Sequence, residues 1–321
     1  MKPRIVVVGS FNQDLTWNCT EFPAPGSTIV GRFTSGPGGK GSNQAVACAR
    51  AGGATAFVAA LGRDAFGREA ARFLRAEGIA TRIAEKKLPT GNAAILVNGA
   101  GQNQIVVALG ANGALRPADV PAALLRGARV VVCQHEIALA TNAAVLRSAR
   151  RSGALTVLNP APMRPDFDPA ILAHVDVLIP NETEFDAITA RLPAVAAVRR
   201  KLGAAARARR PSPAVLQALC RAVGVPTVIL TLGSRGCFVS RPEGGQLLTA
   251  HAVRAIDTTG AGDAFVGALC AALAAKPGNF MAAARFANTA AAVSVTRRGA
   301  APAMPRRAEI LAQLRRASRV D

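Results

Sequence analysis

The sequence contains no tyrosine, a single tryptophan and only 4% aromatic residues. Proteins that bind single-stranded nucleic acid stack bases on aromatic side chains. No aromatic-rich basic strand and no zinc-finger spacing is present here. Nucleic acid is therefore not expected as the main partner, although Lys and Arg outnumber Asp and Glu by 39 to 19 and the formal charge is +20. Long apolar runs are missing as well. Ala261–Ala275 comes nearest, but it contains Asp263 and stops at Lys276-Pro277, short of the roughly 20 residues a membrane helix needs. No membrane association is expected. "MKPRIVVVGS" has a charged start and a short apolar run with no cleavage pattern behind it, and reads as a first strand rather than a signal peptide. Cysteine is present without any CxxC pair: Cys19, Cys48, Cys133, Cys220, Cys237 and Cys270 sit mostly in apolar surroundings. That pattern excludes a disulfide framework and a thiolate metal site, and suits reduced thiols in a cytoplasmic protein.

What is present is a 321-residue chain, half of it hydrophobic, long enough for one large α/β domain with an appendage. Short Val- and Ile-rich runs recur at Ile5–Val8, Ala56–Ala60, Val130–Cys133, Leu155–Leu158, Val175–Ile179 and Val228–Leu232. Their near-continuous apolarity predicts strands buried on both faces, as in a parallel sheet covered by helices. Helical patterns lie between them. "GSNQAVACARAGG" ends in glycines, "RDAFGREAARFLRAEG" starts at Asp64 as an N-cap and closes at Gly78, and "ALATNAAVLRSARRSG" closes at Gly153. The alternation predicts a doubly wound, mostly parallel α/β sandwich over residues 1–321. Thr28–Gly36 and Asn92–Leu109 break the pattern with polar alternation, the second turning at Gly99–Gln102. They are expected to form a small separate sheet, a lid, drawn from about residues 11–36 and 91–110. Arg191–Arg210 holds seven basic residues and no acidic one, which reads as a solvated face. No internal repeat is visible.

The chemistry concentrates in three places. "DTTGAGDAF" (Asp257–Phe265) puts Gly260 and Gly262 at the opening of an apolar helix, where bare backbone amides and the helix dipole suit an anion. Asp263 would repel a phosphate unless it faces the other reactant, where it could accept a hydroxyl proton. Phosphoryl transfer to an alcohol fits; so does a simple capping loop with an acid in its first turn. "SGPGGKGSNQAVACARAGG" surrounds Lys40 with glycines, yet its spacing is neither that of a Walker A loop nor GxGxxG after a strand. Close backbone approach to a polyhydroxyl ligand, with Asn43 as donor and acceptor, suits it better. In "GSFNQDLTW", Asn12 and Asp14 follow the first strand, where ligands collect in open α/β sheets; an Asx turn would use the same residues. His135 is expected on a pocket wall, His174 and His251 carry no recognisable partner, and Trp17 is expected to pack near the lid base.

Several motifs in order resemble the ribokinase family of sugar kinases: "GSFNQD", "GGKGSNQA" at 38–45, "NPAP" at 159–162, "PNETE" at 180–184, "TLGSRG" at 231–236, "DTTGAGDAF" and "VTRRGAAPAMP" at 295–305. The resemblance spans nearly the whole chain and implies ATP-dependent phosphorylation of D-ribose at its 5-hydroxyl. It implies Asp263 as the base, with Gly260, Ala261 and Gly262 as the anion hole. Asn12, Asp14, Gly39, Lys40, Asn43 and Glu136 match positions that hold ribose. Asn181 and Glu184 match the pair near the nucleotide phosphates and hydrated Mg²⁺. Thr231, Gly233, Ser234 and Gly236 match the nucleotide loop, and Asn288 falls near the adenine. A potassium site is implied at Asp257, Thr259, Ser294, Arg297, Gly299 and Ala303, largely through backbone carbonyls. Ala303 departs from the hydroxyl residue often found there. A kinase of the same family acting on a nucleoside or another sugar is the nearest alternative; a non-catalytic sugar-sensing or nucleic-acid-binding protein is the remote one. The polar-alternating lid strands suggest a homodimer formed by lid pairing.

Overall fold

The computed structural model describes residues 4–317; the outermost residues of the expected 1–321 domain, 1–3 and 318–321, lie outside them. The chain runs through β1 (Ile5–Val8), β2 (Asn12–Asn18), β3 (Arg32–Gly38), α1 (Lys40–Arg50), β4 (Thr55–Gly62), α2 (Ala65–Ala76) and β5 (Ala80–Lys86). It continues with β6 (Asn92–Val97), β7 (Asn103–Ala108), α3 (Ala122–Arg126), β8 (Val130–Cys133), α4 (Leu139–Arg151), β9 (Leu155–Leu158) and β10 (Val177–Leu178). Then follow α5 (Glu182–Thr189), α6 (Pro193–Leu202), α7 (Pro213–Ala222), β11 (Thr227–Thr231), β12 (Cys237–Arg241), β13 (Gly244–Leu248), α8 (Ala261–Ala275), α9 (Phe280–Ser294) and α10 (Arg307–Ala317).

Among the described residues these strands form two sheets. The larger has the order β13-β12-β11-β10-β9-β8-β1-β4-β5. It is parallel from β5 to β11 and antiparallel across β11, β12 and β13. All six apolar runs form strands in it, because side chains on both faces are covered. One face packs on α1, α8, α9 and α10, the other on α3 to α7. The β1 strand lies between β4 and β8, so the winding reverses there, and a crevice opens beyond its carboxyl end. The antiparallel pair β12–β13 and the edge strand β5 are additions to the expected set. The Val175–Ile179 run yields only the two-residue ladder of β10, since Val175 and Ile179 turn into flanking loops.

Helix α8 is the central helix of one layer. It is apolar nearly all round and almost wholly buried, as a core helix must be. Gly267 lets it lie against α1: a Cβ there would collide with the Ala47 side chain and come 2.8 Å from Cys48 N. Tight contact between α1 and α8 brings both helix N-termini to the same end of the sheet. That single packing event assembles residues 40–44 and 260–263.

The smaller sheet has the order β3-β2-β6-β7 and is the expected lid. β2 lies within the first segment named above and β3 runs past its end to Gly38, while β6 and β7 lie within the second. Asn12 opens a strand rather than an Asx turn. The β6–β7 hairpin turns where expected, with Asn98 Oδ1 accepting from the amides of Ala100 (3.1 Å) and Gln102 (2.9 Å). The chain leaves and re-enters the main body at two crossings, and the buried Asn112 ties them. It accepts from Phe11 N (3.0 Å) and donates to Phe11 O and to Asn12 Oδ1 (both 2.8 Å). Trp17 lies not at the lid base but on its half-exposed outer part, 5.1 Å from the Phe33 ring. His135 is not in the wall of the cavity at the strand ends. It is fully buried against Phe167, and burial pushes it down to about 4, leaving a neutral core histidine. His174 and His251 do have partners, in Arg147 and Thr289.

Candidate active site

At the carboxyl ends of the main-sheet strands, around the head of α8, lies a cavity of about 230 Å³. Its walls include Lys40, Asn181, Glu184, Thr231, the Thr258–Gly262 segment and Asp263. Gly260 supplies the left-handed N-cap of α8 with φ of 75°. An alanine there would be strained, and its Cβ would lie 3.0 Å from Ala300 Cα. Gly262 faces open space, so the first-turn amides of α8 are bare to a ligand. A helix N-terminus with unshielded amides attracts an anion.

Asp263 stands in that first turn and is buried. Asn43 Nδ2 donates to its Oδ2 at 3.1 Å, and Gln44 Nε2 to its Oδ1 at 2.9 Å. Each oxygen keeps a lone pair. Glu136 sits against the start of α1, its Oε2 accepting from Lys40 N (2.8 Å), Ser10 Oγ (2.5 Å) and, more weakly, Asn12 Nδ2 (3.5 Å). Gly39 is the N-cap of that helix. Asn43 Oδ1 is buried with no partner among the described residues, an acceptor available to a ligand hydroxyl. Asp14 projects from β2 toward the same space. Burial pushes its carboxyl up to about 7, reinforced by Glu136 and Asp263. Burial works against the Lys40 ammonium, but Asp263, Glu136 and Glu184 together outweigh it and raise its value. Lys40, Glu184 and Asp263 line the cavity, with Asp14 and Glu136 close enough to act on them, a polar setting suited to a ligand with several hydroxyls.

On the other side of Asp263, Asn181 and Glu184 form a capping box at the start of α5. Glu184 N donates to Asn181 Oδ1 (2.8 Å) and Asn181 N to Glu184 Oε2 (2.9 Å). Burial raises the Glu184 carboxyl above its usual range, opposed by the Asn181 amide and Lys40. Thr231 reaches the cavity at the end of β11, and Gly233, Ser234 and Gly236 form the tight turn that follows, closed by Leu232 N donating to Gly236 O at 2.8 Å. Asn288 lies off the cavity on α9, buried and donating to Thr249 O at 2.7 Å. The expected cation residues gather behind the start of α8. Asp257 ties the two loops, accepting from Thr259 N (2.9 Å) and Gly299 N (2.8 Å). The Arg297 side chain is held by Glu309, the Ser294 hydroxyl donates to Ala291 O at 2.8 Å, and Ala303 is buried, so these positions offer a ligand mainly backbone carbonyls.

Ser10, Gln44, Asn112 and Asn159 escaped the sequence reading. Gln44 and Asn159 stand inside quoted motifs, yet motif position alone shows no contact. Ser10 too stands inside a quoted motif, while Asn112 carries no local signal, because its partners lie about 100 residues away.

The sandwich, the small separate sheet and the cavity at the strand ends are the architecture of an α/β small-molecule kinase. The pattern of the pfkB family carbohydrate kinases matches residues 2–307, and the chain belongs to that family. It is similar to the ribokinase of Mus musculus, 37% identical over 281 residues that cover 85% of this chain and 82% of the relative. The ribokinase structure from Giardia lamblia superposes with a TM-score of 0.85 at 35% identity, covering 97% of this chain and 99% of the other. Arabidopsis thaliana ribokinase, solved with ribose and ATP, does so with a TM-score of 0.83 at 30% identity, covering 98% and 99%.

Proposed function

We propose that the chain transfers the γ-phosphoryl group of ATP to the 5-hydroxyl of D-ribose, giving ribose 5-phosphate and ADP. The observation that carries this reading is Asp263. It is a buried carboxylate with one lone pair free on each oxygen, set between a pocket of hydroxyl-binding groups and a ring of bare helix amides. Asn12, Asp14, Gly39, Lys40, Asn43 and Glu136 hold the sugar under the lid. Asp263 takes the proton of the attacking hydroxyl, and the amides of Gly260, Ala261 and Gly262 neutralise charge on the moving phosphoryl oxygens. Thr231, Gly233, Ser234 and Gly236 cradle the nucleotide, with Asn288 toward its base. Lid closure excludes water, which limits hydrolysis of ATP.

Among the described residues no cluster of three or more His, Cys, Asp or Glu could cage a metal. Glu184 and Asn181 beside the anion hole fit an Mg²⁺ held mostly by phosphates and water, which would supply charge neutralisation. The carbonyl-rich loops tied by Asp257 fit a potassium ion that would add positive charge behind the anion hole. A lid that exposes Phe33 and Val106 on one face, and the whole of edge strand β7, supports a lid-to-lid homodimer. Buried free cysteines support a reducing, cytoplasmic setting.

The test is an ADP-coupled assay over ribose, 2-deoxyribose, other sugars and nucleosides, with and without potassium. Ribose is expected to give the highest kcat/KM. Preference for a nucleoside would overturn the substrate, and an unchanged rate without potassium would remove that ion. Asp263→Asn should lower kcat by at least about 10³-fold with ribose binding largely kept; near-normal turnover would remove the base.

A further inference from the structure

We propose that Gln44 is a positioning residue that fixes the Asp263 carboxylate, acting through a one-way chain of amides anchored on the backbone. The proposal rests on the reading of Asp263 as the base. Gln44 is fully buried on α1 and does not line the cavity, while both groups that its amide nitrogen serves, Asp263 and Asn159, do. Its amide nitrogen has two hydrogens and two acceptors: Asp263 Oδ1 at 2.9 Å and Asn159 Oδ1 at 3.0 Å.

An amide can in principle turn over and present oxygen where nitrogen stood. Here the chain forbids it. Asn159 Nδ2 donates to the Ile179 carbonyl at 2.8 Å, and a backbone carbonyl can only accept. The Asn159 oxygen must therefore face Gln44, and Gln44 must answer with its nitrogen. From the other side, Gln134 Nε2 donates to Gln44 Oε1 at 2.6 Å, and the Gln134 backbone carbonyl accepts from Asn142 Nδ2 at 2.6 Å. Gln134 Oε1 has no partner of its own among the described residues, so it is the nitrogen end of Gln44, through Asn159, that is dictated. A turned-over Gln44 would set its oxygen against the Asp263 and Asn159 oxygens, three acceptors with no proton between them. The network joins α1, α4, α8 and the loops after β8 and β9, all in the main body. It fixes the base whether the lid is open or closed. Asn43, by contrast, faces the pocket and is free to answer the sugar.

The experiment measures kcat, both KM values, the solvent deuterium isotope effect on kcat, ribose binding by calorimetry and the melting temperature. Gln44→Leu keeps the bulk and removes both ends of the amide. Its kcat should fall about 10- to 100-fold, the cost of a lost donor or a misplaced group. Both KM values and ribose affinity should stay within about threefold on that scale, and a solvent isotope effect should emerge as proton transfer to the misplaced base becomes limiting. Gln134→Met leaves Gln44 in place but loosens its oxygen end, and should give the same pattern at a smaller loss. A parent-like kcat in both variants, or a loss matched by equal losses of ribose binding and melting temperature with no isotope effect, overturns the proposal. An inactive Asp263→Asn beside fully active Gln44→Leu refutes the positioning role alone. An active Asp263→Asn refutes the base, and the proposal with it.

Discussion

In the proposed sugar site, Asp14 is the group expected to respond to pH near neutrality. Its carboxyl is pushed up to about 7 by burial and by the neighbouring Glu136 and Asp263. Sugar hydroxyls donate best to an ionised carboxylate, so binding and proton loss from Asp14 should be linked. Ribose affinity should weaken as pH falls from about 8 to 6, and Asp14→Asn should bind more weakly but with a flatter profile, both readable by calorimetry across that range. The same shift has a stability consequence of opposite sense. A carboxyl raised in the folded state favours the native protein in acid, and that contribution is lost as pH rises through about 7. At this scale the sequence showed the residues that stand out against their neighbours: Lys40 among glycines, Asp263 in a phosphate-type loop. It could not show Gln44 or Asn159. Their roles reside in hydrogen bonds between side chains 115 and 219 residues apart, and an amide in a sequence carries no mark of what it faces.

Helix α2 starts at an N-cap that also holds the lid's return loop. Asp64 accepts from Gly67 N at 2.8 Å, as a cap should, and from Thr90 N and Thr90 Oγ1, both at 2.7 Å. Burial opposes the charge, but these donors hold the carboxyl below its ordinary range. Its stabilisation is therefore present above that range and is lost as pH falls through the lowered value. Asp64→Ala should cost about 1–2 kcal/mol in denaturant melts at neutral pH, with a smaller difference from the parent in acid. The ribose KM should change little, since Asp64 lies outside the cavity. The cap was legible because its geometry is local: an acid before an amphipathic run, and a glycine at its end. The buried strands were legible for a similar reason, as covered on both faces they permit little but Val, Ile, Ala and Leu. β13 was not, because an edge strand with exposed positions lacks that signature, and β12, though buried, is a short run ended by Ser240 and Arg241.

The proposed lid-to-lid dimer rests on the edge of the small sheet. Its strand β7 is exposed along its whole length, with Val106 71% and Ile105 51% accessible. Such a strand in a lone copy is a template for pairing. The expected particle is a dimer with apposed lids. Val106→Asp should shift it toward monomer by sedimentation and raise the ribose KM, because an unsupported lid closes less well. Monomeric parent protein at micromolar concentration would remove the dimer. Net charge of +20 adds repulsion between copies, so pairing should tighten with salt.

The order of elements, the buried strands, the glycine-rich helix starts and the acid at the head of α8 were all determined by the sequence, since each follows from local backbone freedom or from a periodicity of burial. Only the tertiary structure decided which of those residues meet. The approach of α1 to α8 across Gly267, the amide chain behind Asp263 and the Asn112 tie at the lid crossings all depend on contacts between distant segments. No pattern along the chain encodes such contacts until the core has packed.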